Sequence, residues 1–165
     1  MKQLQPITFF CVLLLLFSCS EKSNNTKQLQ VRVDSLEKKL ANTYRPGLGE
    51  FMSGIQIHHA KLWFAGQNGN WELADFELHE IMEALDDIKT FNTDRPEIKS
   101  LPMIYAPLDS LNKSVQEKNL SSFKSNFVLL TTTCNNCHRD AQHGFNVIKI
   151  PDTPPFSNQD FKLQK

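Results

Sequence analysis

The stretch NLSSFKSNFVLLTTTCNNCHRDAQ, residues 119–142, decides the fold. Leu120, Phe123, Phe127, Leu130, Cys134 and Cys137 recur at alternating spacings of three and four, the period that lines one face of an α-helix. Upstream, Leu48, Met52, Ile55, His59, Leu62 and Gly66 form a second such stripe. Trp71, Ala74, Leu78, Ile81, Leu85 and Ile88 form a third, and Leu101, Ile104, Leu108, Leu111 and Val115 a fourth. Asn70 stands where an N-cap of the 71–91 run belongs, Pro96 marks a polar break, and Pro107 is a candidate kink. Four apolar stripes joined by short loops, with no alternating β pattern, predict an all-α, antiparallel up-down-up-down four-helix bundle.

The last stripe ends in Cys134-Asn-Asn-Cys137-His138. C-x-x-C-H is the attachment signature of c-type haem, in which two thiols form thioethers to the porphyrin edge and the following imidazole binds iron. A C-x-x-C pair also serves as a thioredoxin-like redox dithiol or as half of a zinc site. The first needs a βαβ setting, and none is legible here. The second needs another ligand pair, and neither Cys11 and Cys19 nor His58, His59, His79 and His143 supply one by spacing. The expected cofactor is therefore haem c, with Cys134 and Cys137 as covalent attachment points and His138 as proximal iron ligand.

The N-terminus fits export. Residues 1–18 carry Lys2 and an apolar run from Ile7 to Phe17, too short to span a membrane and suited to a signal-peptide core. The following LFSC resembles a bacterial lipoprotein cleavage box, which would make Cys19 the lipidated first residue; an ordinary cleaved signal peptide is the alternative. Ser20–Lys27 is polar and reads as a flexible spacer. Thr26, Leu29, Val33, Leu36 and Leu40 then follow an a/d pattern that puts Arg32 at g and Glu37 at the next e, a stalk able to pair as a parallel homodimer or to stand as a solvated single helix. The expected organisation is signal peptide 1–18, lipid-anchored linker and helical stalk 19–45, haem-binding bundle 46–143 and extended tail 144–165. Lysine and arginine number 18 against 18 aspartates and glutamates, and loss of Lys2 with the signal leaves 17 against 18, so no electrostatic hold on nucleic acid is implied.

An exported helical bundle with C-x-x-C-H near the end of its last helix resembles the cytochrome c-prime class of c-type cytochromes, over about residues 47–143. The resemblance implies thioethers at Cys134 and Cys137, proximal ligation by His138, and no enzymatic activity. Some members of that class leave the other iron face open and bind small gases; others ligate it with an early methionine and transfer electrons. Met52, on the inward stripe in the opening turns of its helix, is the expected distal ligand, since a thioether paired with histidine raises the potential and suits electron transfer. His59 shares that stripe about 10 Å further along; His58, His79 and Met103 are the other candidates. The stalk and a tail longer than twenty residues depart from the class. Gly144 reads as the stop of the last helix, and Pro151, Pro154 and Pro155 stiffen a tail that could strap the bundle, with Phe145 or Phe156 over the haem edge. The expected function is a membrane-anchored monohaem electron carrier, on the periplasmic side of a bacterial membrane or at the cell surface, with redox proteins as partners. A five-coordinate haem protein binding nitric oxide or carbon monoxide as sensor or scavenger is the competing expectation.

Overall fold

The computed structural model describes residues 20–163. The signal segment 1–18 and Cys19 lie outside the described residues. Among those residues the chain is all-helical, without a strand: α1 (Ser20–Ala41), α2 (Leu48–Gln67), α3 (Trp71–Phe91), a 3-10 turn (Pro96–Ser100), α4 (Pro102–Gln116) and α5 (Leu120–Asp140). The chain divides into two compact units, residues 1–44 and 45–165.

The first unit holds α1, which begins at Ser20. The polar run Ser20–Lys27 is therefore helix, not a flexible spacer. It contains neither Gly nor Pro, and polarity alone does not break a helix. Leu29, Val33, Leu36 and Leu40 are all exposed along it. Gln30 Nε2 donates to Asp34 Oδ1 at 2.8 Å, away from that stripe.

In the second unit the helix boundaries follow from local chemistry. Asn70 Oδ1 accepts from the Leu73 amide at 3.2 Å, and Asn119 Oδ1 from the Ser122 amide at 3.1 Å, each satisfying an N-terminal amide that has no partner within the helix. Pro102 opens α4, where its missing N–H costs nothing. Three helices close with the same paired backbone bonds around a left-handed residue: Gly69 (φ 68°) after α2, Lys118 (φ 52°) after α4 and Gln142 (φ 62°) after α5. The stop after α5 is thus Gln142, not Gly144. At that end the His143 amide donates to the His138 carbonyl at 2.6 Å and the Gln142 amide to the Arg139 carbonyl at 3.1 Å.

The expected stripes form the core, apart from Leu120, which is exposed. Leu62, Leu78, Ile88, Leu108, Leu111, Phe123, Phe127 and Leu130 are almost fully buried. Phe123 stacks at 6.2 Å from Trp63 and meets Trp71 edge-on at 5.8 Å. Polar contacts cross between neighbouring helices. His58 Nδ1 lies 2.7 Å and Lys61 Nζ 2.6 Å from the two oxygens of Glu77, which is fully buried. Gln116 Nε2 donates to Asp75 Oδ1 at 2.6 Å, and Asn126 Nδ2 to Ser114 Oγ at 2.7 Å.

The tail carries no regular structure and is nonetheless ordered by the core. Ile150 packs against the apolar cluster, and Phe161 is buried with its ring 5.7 Å from that of Phe64. Phe145 is 84% exposed and Phe156 42% exposed. The tail's anchoring on the core is done by Ile150 before Phe156 and by Phe161 after it.

Candidate functional site

α5 brings Cys134 and Cys137 to the inner face because they continue its apolar period; both are half-buried and both are free thiols. With His138 they line a cavity of about 330 Å³, within the range of about 300–1,000 Å³ usual for cofactor sites. Leu48, Met52 and Ile55 of α2, Ile81, Leu85 and Ile88 of α3, and Leu101 and Ile104 also line it. Arg95 and Glu97, joined at 2.6 Å, give it a polar edge. Leu85 and Ile88 bring the inward stripe of α3 to it. Met103 does not line the cavity and is 41% exposed.

The three motif residues are prepared in different ways. Burial, with Cys137 alongside, pushes the Cys134 thiol up to about 12; burial, then the charge of Asp140, raises that of Cys137 as well. A redox dithiol works through a lowered thiol, so these environments oppose the thioredoxin-like alternative, as does the lack of strands among the described residues. His138 Nδ1 lies 2.7 Å from the Asn146 carbonyl. A carbonyl only accepts, so Nδ1 carries the hydrogen and Nε2 keeps the lone pair that a metal would take.

His59 is a buried member of the cavity wall, 4% exposed. Its Nε2 lies 2.9 Å from Thr131 Oγ1, whose single hydrogen is committed to the Phe127 carbonyl at 2.9 Å. His59 therefore donates from Nε2, and burial lowers its pKa to about 4. The other histidines divide clearly. His58 is taken by Glu77, exposed His79 bonds the Asp75 carbonyl of its own helix at 2.8 Å, and His143 lines the cavity mouth with Nδ1 2.7 Å from the Ala141 carbonyl.

The residues present fit a haem. Two neighbouring thiols, the His138 imidazole with its Nε2 lone pair and the Met52 thioether line a single apolar cavity. A protein-only metal site is another matter: no group of three or more His, Cys, Asp or Glu side chains gathers to hold an ion among the described residues. A zinc centre needs three or four ligands of that kind; a porphyrin brings four nitrogens itself and asks the chain for one or two.

Sequence reasoning missed Thr131, Asn135, His143, Arg95 and Glu97 at or behind this site. Of these only Asn135 carried a signal, its place between the two cysteines. No helix among the described residues is long and apolar enough to cross a membrane. No family model, no curated protein and no solved structure matches the chain.

Proposed function

We propose that this chain is a lipid-anchored, single-haem c-type cytochrome that carries electrons, with its second unit folded as an antiparallel four-helix bundle of the cytochrome c-prime kind. The observation that carries the reading is the convergence of Cys134, Cys137, His138 and Met52 on one apolar cavity. Pairwise contacts support the antiparallel order. Along α2 and α5, Gly66 abuts Phe123 and His59 meets Thr131, so positions fall on one helix as they rise on the other. The pairs Pro46–Asn92 with His58–Glu77, Asp75–Gln116 with Lys89–Tyr105, and Ser100–Asp140 with Ser114–Asn126 run the same way for the other neighbours.

The α2/α5 register also favours Met52. Two helical turns separate His59 from Met52 and about two separate Thr131 from His138, so Met52 comes level with His138 while His59 lies about 10 Å deeper. When bound, the haem would supply one-electron chemistry between ferric and ferrous iron. Cys134 and Cys137 would hold it covalently, His138 Nε2 and the Met52 thioether would be its iron ligands, and the aliphatic walls would exclude water. Lipidation at Cys19, following LFSC, would keep it on the periplasmic side of a membrane or at the cell surface. The exposed Leu29, Val33, Leu36 and Leu40 seam, with Val33 and Leu40 at a, Leu29 and Leu36 at d, and Arg32 opposite Glu37, fits a second copy of the chain in a parallel pair.

Spectra of the matured protein, oxidised, reduced and with carbon monoxide, test this reading. A six-coordinate low-spin haem is expected. Met52→Ala should turn it toward high spin, lower its potential and speed carbon monoxide binding. A native ferric protein already high-spin and unmoved by Met52→Ala would make the cavity an open gas-binding site and replace electron transfer.

A further inference from the structure

We propose that the chain after α5 is a positioning strap for the haem-binding segment, with Asn135 as its fastening and the Asn146 carbonyl orienting His138. This rests on the haem reading above and assigns a task to residues that neither the C-x-x-C-H motif nor the core explains.

Three sets of hydrogen bonds meet at this point. Asn135 Nδ2 donates to the Ile148 carbonyl at 2.8 Å and Asn135 Oδ1 accepts from the Ile148 amide at 2.8 Å, so one side chain occupies both polar groups of a tail residue as a neighbouring strand would. His138 is held twice: its carbonyl accepts from the His143 amide at 2.6 Å, and its Nδ1–H donates to the Asn146 carbonyl at 2.7 Å. The Asn146 amide in turn donates to the His143 carbonyl at 2.9 Å, closing the turn between those two contacts. Asn146 and Ile148 also line the cavity.

The tail is secured again beyond these bonds, first just past Ile148 and then far along the chain. Ile150 is packed against the core, and Phe161 is buried beside Phe64. A loop held only by its own turn would leave Asn146 mobile. A tail fastened at Asn135 and again at Phe161 holds the carbonyl in place before any iron is bound, and an imidazole already fixed in the Nδ1–H tautomer is a preorganised ligand. The partner matters as well. A neutral carbonyl leaves the imidazole a neutral ligand, whereas a carboxylate would raise its basicity and lower the iron potential.

The test uses full-length, matured protein in the reduced state, with nitrogen-15 NMR on the His138 ring and the midpoint potential as readouts. Asn135→Ala should speed solvent exchange of the His138 Nδ1 hydrogen by roughly tenfold or more, the scale of a lost net hydrogen bond, and shift the potential. Asn135→Asp, which keeps the acceptor for the Ile148 amide and loses the donor, should fall between. Phe161→Ala should move His138 exchange in the same direction. Tryptophan fluorescence melting, which reads Trp63 and Trp71 in the core, checks that each variant is folded. Exchange unchanged in Asn135→Ala, or changed there and not in Phe161→Ala, would overturn the strap. A chain found to carry no haem would still report the His138 tautomer and its exchange, so failure of the haem reading is told apart from failure of the strap.

Discussion

Gly66 and Gly54 lie in the same helix and should respond to alanine in opposite directions. A Cβ built at Gly66 falls 2.2 Å from Phe123 Cζ and 2.3 Å from Cε1. Carbon atoms pack best at about 3.5–4.0 Å, so the ring or the helix must give by more than about 1 Å. The ring has nowhere to go: Phe123 is fully buried, with Trp63, Trp71 and Phe127 around it at 6.2, 5.8 and 5.9 Å. Alanine gains about 1 kcal/mol in helix propensity, while overpacking a closed core costs about 1–3 kcal/mol, here at the upper end. The net expectation for Gly66→Ala is a loss of about 2 kcal/mol, or roughly 8 °C in Tm for a domain of about 120 residues. At Gly54 nothing lies within 4 Å, and Gly54→Ala should raise stability by about 0.5–1 kcal/mol. Urea and thermal unfolding followed by far-UV circular dichroism measure both. Phe123→Leu in the Gly66→Ala background should recover part of the loss, since the two positions touch. The reasoning fails if Gly66→Ala is as stable as the parent, because α2 and α5 would then not approach closely enough to bring Met52 level with His138.

His59 makes stability depend on pH. Its folded pKa of about 4 lies below the unfolded value near 6.5, so the unfolded chain binds the proton first as pH falls. Its contribution is complete above about pH 6.5, is lost on going down to about pH 4, and amounts to about 3 kcal/mol. His59→Gln, which can still donate to Thr131, should remove that part of the slope in urea titrations at several pH values; an unaltered slope would place the imidazole in solvent. The α1 seam should show itself in sedimentation: a dimer that dissociates on Leu36→Asp is expected, and a monomer at all concentrations would leave α1 a single solvated helix.

Much of the fold could be read from local pattern because the causes are local. The run 71–91 emerges as α3 with the expected Asn70 cap, since periodicity and capping depend on residues three or four apart. That Cys134, Cys137 and His138 reach one cavity was legible for the same reason, since their closeness in sequence at the end of α5 keeps them together. Where local reading failed, it did so over residues with two acceptable conformations. Ser20–Lys27 lacks apolar residues and is helical anyway, and Gln142, not the glycine two residues on, takes the left-handed turn.

The sequence by itself determined which residues face inward, for that follows from helical period, and it set Cys134, Cys137 and His138 side by side at the end of one stripe. Only the tertiary structure decided what stands across from them. His59 meets Thr131 from 72 positions away, Glu77 is buried between His58 and Lys61, Asn135 fastens Ile148, and Phe161 closes on Phe64. Such pairings depend on how the chain reverses and in what register its helices pack, and a side chain's period records the face it occupies but not the partner it finds there.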